Sequence, residues 1–190
     1  LALDVASEAA CLEAAATVGP LDVLANVAGI GHVGSLLDTQ AGDCDRLYAV
    51  NVRGVFNCCK AFAAPMLERG TGSVINMASV AGVIAVRDRL AYTMTKFAVV
   101  GLTKAWGLEL AKTGITVNAV CPGFVETPMA EKVRAHYAGI WGTTEQEAFE
   151  RVTARVPIGR YVEPSEVAAM VEYLLGDGAA AVTAQALNVC

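Results

Sequence analysis

Three short apolar runs, Leu21–Asn26, Ser73–Ala78 and Ile115–Val120, constrain this chain most, because each is followed by a segment of helical period. Strands that return parallel to one another need a crossover of a dozen or more residues, usually a helix. Between the first two runs, Leu47, Val50, Val55, Cys58, Phe62 and Met66 hold an approximate helical period, which predicts one long helix from Asp43 to Glu68. Gly70-Thr71-Gly72 ends it. Leu90 to Lys112 reads as a second long helix, turned at Gly114 into the third run, which Pro122-Gly123 stops. Ser7 to Val18 is an alanine-rich helix, Glu163 to Leu175 a helix with Pro164 in its first turn, and Ala186–Val189 a last strand. Leu1 to Val5, ending in Asp4-Val5, reads as a strand remnant. Strands alternating with helices of this length predict an α/β fold with a doubly wound parallel sheet, one domain over 1–190 without repeats or low-complexity linkers.

A chain of 190 residues can bury a sizeable core, and 55% hydrophobic content excludes disorder. A net charge of −5 does not suit nucleic acid. No apolar run reaches ~18 residues without a charge or turn, so no ordinary membrane span is expected. The stretch from Leu1 to Gly19 carries Asp4, Glu8 and Glu13 and lacks the basic start of a signal peptide. The six cysteines show no C-x-x-C and no metal spacing with His32 or His136. They read as buried thiols of a cytoplasmic protein, with no metal site.

Chemistry concentrates in SVAGVIAVRDRLAYTMTK, from Ser79 to Lys96. Tyr92 and Lys96 are four apart and share a helix face. A phenol titrates near pH ~10, and an ammonium beside it favours the phenolate. Ser79 closes a strand-like run, which places its hydroxyl at the C-terminal end of a strand, where open α/β sheets hold ligands. A carbonyl could accept hydrogen bonds from Ser79 and Tyr92 together.

Three further motifs keep order with this one: Asn51 in AVNVRGVF, NVAG after the first apolar run, and CPGFVET from Cys121 to Thr127. Together these residues resemble the short-chain dehydrogenase/reductase family over nearly the whole chain, which implies a Rossmann-like sheet. The resemblance implies NAD or NADP as cofactor and a ketone or secondary alcohol as substrate. It makes Asn51, Ser79, Tyr92 and Lys96 catalytic. Tyr92 would be the proton donor for reduction. Lys96 would lower its pKa and hold the nicotinamide ribose, Ser79 would orient the carbonyl, and Asn51 would hold a water between Lys96 and bulk. Asn26, Ala28 and Gly29 would line the adenosine side, with Asp4 and Val5 beside the adenine. Val125 and Thr127, after Pro122 and Gly123, would meet the nicotinamide end. Val27 stands where the family usually has a second asparagine. From the residues alone, Asp4 could instead cap the helix near Ser7, Asn26 could be a turn residue, and Thr127 could cap the segment after Pro128. His32 reads as a loop residue near the expected pocket mouth.

Glu126 to Arg160 differs in character. Met129, Val133, Tyr137 and Trp141 recur every four residues, a stripe that is either core or, by resemblance, the face of a substrate lid. Lys132, Arg134, Arg151, Arg155 and Arg160 make this segment basic, either as a solvated face or as an attraction for a carboxylate or a phosphorylated carrier. From about Thr113 onward the chain looks like bacterial aromatic-polyketide and acyl-carrier-protein ketoreductases. From Leu21 to Leu102 it looks more like sugar-acid, fucose or hydroxybutyrate dehydrogenases. The family's Gly-rich turn and first two strands do not occur in the sequence, nor does the glycine pair after the last strand. The expectation is therefore a longer polypeptide, in which Leu1–Val5 lies about 14 Å from Leu21–Asn26. Both long helices that pair subunits in the family are present, implying a homodimer or homotetramer. The alternative to an enzyme is a scaffold that binds no cofactor and serves only in oligomerisation.

Overall fold

The computed structural model describes all residues from Leu1 to Cys190. Four strands, β1 (Val23–Asn26), β2 (Gly72–Met77), β3 (Ile115–Pro122) and β4 (Ala186–Val189), form one sheet in sequence order, every neighbouring pair parallel. Each crossover is helical. α2 (Ala41–Tyr48) and α3 (Gly54–Arg69) join β1 to β2, and α4 (Leu90–Leu110) joins β2 to β3. α5 (Pro128–Trp141), α6 (Glu145–Thr153) and α7 (Pro164–Leu175) lead to β4, and α1 (Glu8–Val18) precedes β1.

Strand periodicity sorts the side chains to two faces. Val74, Val117, Ala119 and Cys121 pack with Val55, Cys58, Phe62 and Met66 of α3 and Val99, Val100 and Leu110 of α4. Ile75 and Val120 point the other way, to Val167 and Leu174 of α7. Helices therefore cover both faces, as the doubly wound expectation required. β3 lies centrally and is almost wholly buried, as a strand covered on both faces must be.

Two expected elements differ. Leu1–Asp4 is irregular and unpaired with β1, so the strand remnant is not a strand. Without a ladder partner, extended backbone gives way to a turn in which the Asp4 carboxylate accepts from Ala6 N at 3.0 Å. Ser7, not Asp4, caps α1, its hydroxyl accepting from Ala10 N. The single helix expected from Asp43 to Glu68 is interrupted by a π-helical turn, Ala49–Arg53. The inserted residue rotates the turns on its C-terminal side, so that Asn51 and Val52 are buried while Val55, Cys58, Phe62 and Met66 keep facing the sheet.

The segment after β3 builds its own small core. Val133 and Tyr137 of the expected stripe are buried with Ala148, Val152 and Tyr161, Tyr137 stacks on Trp141, and Met129 remains exposed. The stripe is thus split between core and surface.

A tight contact joins β2 to α4. The 3-10 turn Val80–Gly82 follows Ser79, and a Cβ on Gly82 would stand 2.5 Å from the Lys96 carbonyl oxygen. Gly82→Ala should therefore cost about 1–3 kcal/mol in chemical unfolding and lower turnover as well, because it pushes Ser79 away from α4. Wild-type stability in this variant would show that the contact is dispensable.

Candidate active site

Ser79 lies two residues beyond β2, in extended backbone, where its hydroxyl caps the following turn. Oγ accepts from Ala81 N at 3.2 Å and donates to Pro122 O of β3 at 3.4 Å. Tyr92 and Lys96 stand on the first two turns of α4. Lys96 reaches back across the sheet end, and Nζ donates to Met77 O at 2.8 Å. Nζ is 5.6 Å from the centroid of the Tyr92 ring. The C-terminal ends of β2 and β3 and the N-terminal end of α4 thus converge.

Asn51 does not line this site; it builds it. From the π-helical turn its Oδ1 accepts from Ile30 N at 2.8 Å. Its Nδ2 donates to Ile30 O at 2.9 Å and to Thr95 Oγ1 at 3.2 Å. Both amide donors are spent, and one Oδ1 lone pair is left. Asn26 is also structural in its contacts. Its Nδ2 donates to Asn76 Oδ1 at 2.9 Å, its partner in the β1–β2 register, and to Cys59 Sγ at 3.3 Å.

Burial raises the pKa of Tyr92, opposed by the charge of Arg89 and the hydroxyl of Ser79. Burial also pushes Lys96 down to about 8, the Cys121 thiol opposing and Arg89 adding to the fall. Beside the expected Lys96, a second cation that the sequence reading did not single out stands next to the phenol and favours the phenolate: Arg89. Its guanidinium carbon lies 4.3 Å from the centroid of the Tyr92 ring, and the residue is only 6% exposed. The sequence did carry a signal for it, a basic residue three positions before the tyrosine and so one turn away.

Ser79, Arg89, Tyr92 and Lys96 line one cavity of about 700 Å³. Of the residues expected at a cofactor, Gly29, Pro122, Gly123, Val125 and Thr127 line it too, with Val27. Val5, Asn26, Val27 and Ala28 line a second, smaller cavity of about 180 Å³, and Asp4 faces neither. Thr127 caps α5 as well, accepting from Ala130 N. His32 stands apart, with Nε2 3.5 Å from the Asp43 carboxylate. None of the basic residues Lys132, Arg134, Arg151, Arg155 and Arg160 lines the cavity. Arg134 and Arg151 lie over Phe149 and Trp141, and Arg160 pairs with Glu166.

The residues fit a nicotinamide nucleoside. A Cβ on Gly29 would stand 3.7 Å from Lys96 Nζ, so the glycine keeps the ammonium open. Nζ spends one of its three donors on Met77 O, leaving two for a ribose diol.

A family model described as enoyl-(acyl carrier protein) reductase matches residues 1–190. The chain is 58% identical over 174 residues to a putative ketoacyl reductase of Streptomyces coelicolor, covering 90% of the chain and 67% of that relative. It is 42% identical over 185 residues to 2-keto-3-deoxy-L-fuconate dehydrogenase of Xanthomonas campestris, covering 96% of the chain and 60% of that relative. The chain thus spans about two thirds of the curated relatives it matches. A crystal structure of an actinorhodin polyketide ketoreductase variant with NADPH superposes with a TM-score of 0.92 at 54% identity, covering 99% of this chain and 74% of that one.

The depressed pKa of Lys96 fixes a sign. The unfolded lysine holds its proton up to about 10.5 and the folded one only to about 8, so folding grows more favourable as pH rises between those values. Below 8 the buried charge is a cost. Lys96→Met should raise the unfolding free energy at neutral pH by on the order of 1 kcal/mol, after allowing for the orphaned Met77 carbonyl. A clear loss of stability would show that the ammonium holds the fold.

Proposed function

The chain belongs to the short-chain dehydrogenase/reductase family, and we propose that it is an NAD(P)-dependent ketoreductase interconverting a ketone and a secondary alcohol. One observation carries this reading: a hydroxyl, a phenol and an ammonium, from Ser79, Tyr92 and Lys96, face one cavity large enough for a nicotinamide and a small substrate.

When bound, the nicotinamide supplies or accepts the hydride. Gly29 and Lys96 would hold its ribose. Pro122, Gly123, Val125 and Thr127 would hold the ring, and Val5, Asn26 and Ala28 the adenosine side. The raised pKa of Tyr92 keeps its phenol protonated at neutral pH, which suits an acid in the reductive direction. Tyr92 Oη donates its proton to the carbonyl oxygen as negative charge gathers there, while the Ser79 hydroxyl orients that oxygen. Arg89 and Lys96 offset the charge left on the phenolate. The remaining Oδ1 lone pair of Asn51 can hold a water that takes a proton on from Lys96.

The substrate in this reading is a small-molecule ketone or alcohol, free or carrier-bound, and α5 with α7 forms the wall that selects it. No helix is long and apolar enough to cross a membrane. Six free thiols suit a reducing cytoplasm. Phe56 on α3 with Phe97 and Leu108 on α4 are exposed, which supports assembly into a homo-oligomer through these helices.

Tyr92→Phe should lower kcat roughly 100- to 10,000-fold while NAD(P)H fluorescence titration gives a nearly unchanged Kd. Undiminished turnover would reject Tyr92 as the donor, and absence of cofactor binding in the wild type would favour a scaffold.

A further inference from the structure

We propose that Arg89 forms a carboxylate subsite beside Tyr92, so that the ketone accepted by this cavity is a short keto acid. The proposal deepens the ketoreductase reading and rests on it.

Arg89 is buried, yet no carboxylate lies within ion-pair distance of it. Its neighbour Asp88 turns to Arg87 instead, at 3.9 Å. Glu172, the only acidic residue lining the cavity, makes no ion pair. Arg89 Nε is buried without a hydrogen-bond partner. The guanidinium rests on the Tyr92 ring, which offsets part of the cost of burial by cation–π attraction. A buried, unpaired charge with an unused donor is nonetheless expensive, and proteins rarely keep one without something to pair it.

The backbone aims the side chain. Asp88 has φ +59°, a left-handed conformation that a non-glycine residue seldom adopts. It is held by the bond from Gly34 N to Asp88 O at 2.8 Å and by the bridge between Gly34 and Arg89. Strain of this kind persists where the surroundings over-determine it, and here it turns Arg89 into the cavity.

Charge and spacing select the ligand. Lys96, the other cation in the cavity wall, donates to Met77 O, and its two remaining donors are taken by the cofactor ribose in the reading above. That leaves one planar guanidinium, a fork that matches the two oxygens of a carboxylate. A phosphate dianion would call on further cations, and those of 128–160 face elsewhere. Because the guanidinium lies over the Tyr92 ring, a carboxylate on Arg89 and a carbonyl on the Tyr92 hydroxyl belong to one compact molecule. The carboxylate is then one or two carbons from the carbonyl, as in an α- or β-keto acid.

The test compares acetoacetate with its neutral methyl ester, using the full chain, NAD(P)H and the variants Arg89→Met and Arg89→Lys. The wild type should prefer the acid by about 100-fold in kcat/KM, mostly through KM. In Arg89→Met the preference within that variant should collapse to about threefold or less or invert, and Arg89→Lys should keep part of it. The ester serves as an internal control, because misfolding or loss of the Arg89 charge beside the phenol lowers turnover of acid and ester alike and leaves their ratio to report the subsite. Equal efficiency on acid and ester in the wild type, or an undiminished preference in Arg89→Met, overturns the proposal. If neither compound is reduced, the ketoreductase reading fails separately, and thermal shift still reads the subsite. Acetoacetate should raise the Tm of the wild type and not that of Arg89→Met, whereas no shift in the wild type overturns the subsite.

Discussion

One side-chain amide joins the parts of this site. Asn51 clasps Ile30 through both its N–H and its C=O and reaches Thr95 on α4. It thereby fixes the loop after β1 to the helix that carries Tyr92 and Lys96. Gly29, one residue before the clasp, lies between Asn51 Oδ1 and Lys96 Nζ and keeps the space above the ammonium clear. A helical turn of ordinary pitch would not bring the amide inward in this way. The π-helical turn at Ala49–Arg53 does so while leaving the apolar face of α3 on the sheet.

The site is electrostatically costly, and its stability comes from elsewhere. Both sheet faces are covered by aliphatic cores, and a buried polar network of Asn26, Asn76 and Thr103 pins α4 to β2 from below. On that support the site can keep two buried cations close to one phenol. Burial raises the pKa of Tyr92 and pushes that of Lys96 down to about 8. Arg89 acts in opposite senses on its two neighbours: it favours the charged form of Tyr92 and disfavours that of Lys96. The proton on Tyr92 is therefore held by desolvation and released by charge.

Much of this was legible in the sequence. β2 and β3 fall within two residues of the apolar runs that foretold them, because a buried parallel strand leaves a continuous apolar signature between glycine and proline punctuation. Ser79, Tyr92 and Lys96 meet as expected, because the strand-to-turn and i to i+4 geometries are local. The π-helical turn was not legible, since a single inserted residue shifts the period without breaking the hydrophobic run. Leu1–Val5 has strand composition but no neighbouring strand, and a ladder cannot be read from one segment. Asn26 and Asn76 sit opposite each other only because two strands pair in register, a non-local fact. Arg89 escaped notice because its meaning depends on burial: on a solvated helix the same residue is an ordinary N-terminal arginine.

The central claim is that Ser79, Tyr92 and Lys96 present a carbonyl to a nicotinamide in this cavity. Following a deuterium label tests it most directly. The full chain is given NADH or NADPH deuterated at the transferable position together with a keto acid, and the product is analysed by mass spectrometry. The account predicts one deuterium on the carbinol carbon of the alcohol. An alcohol without the label, or bound cofactor with no alcohol formed, would contradict it.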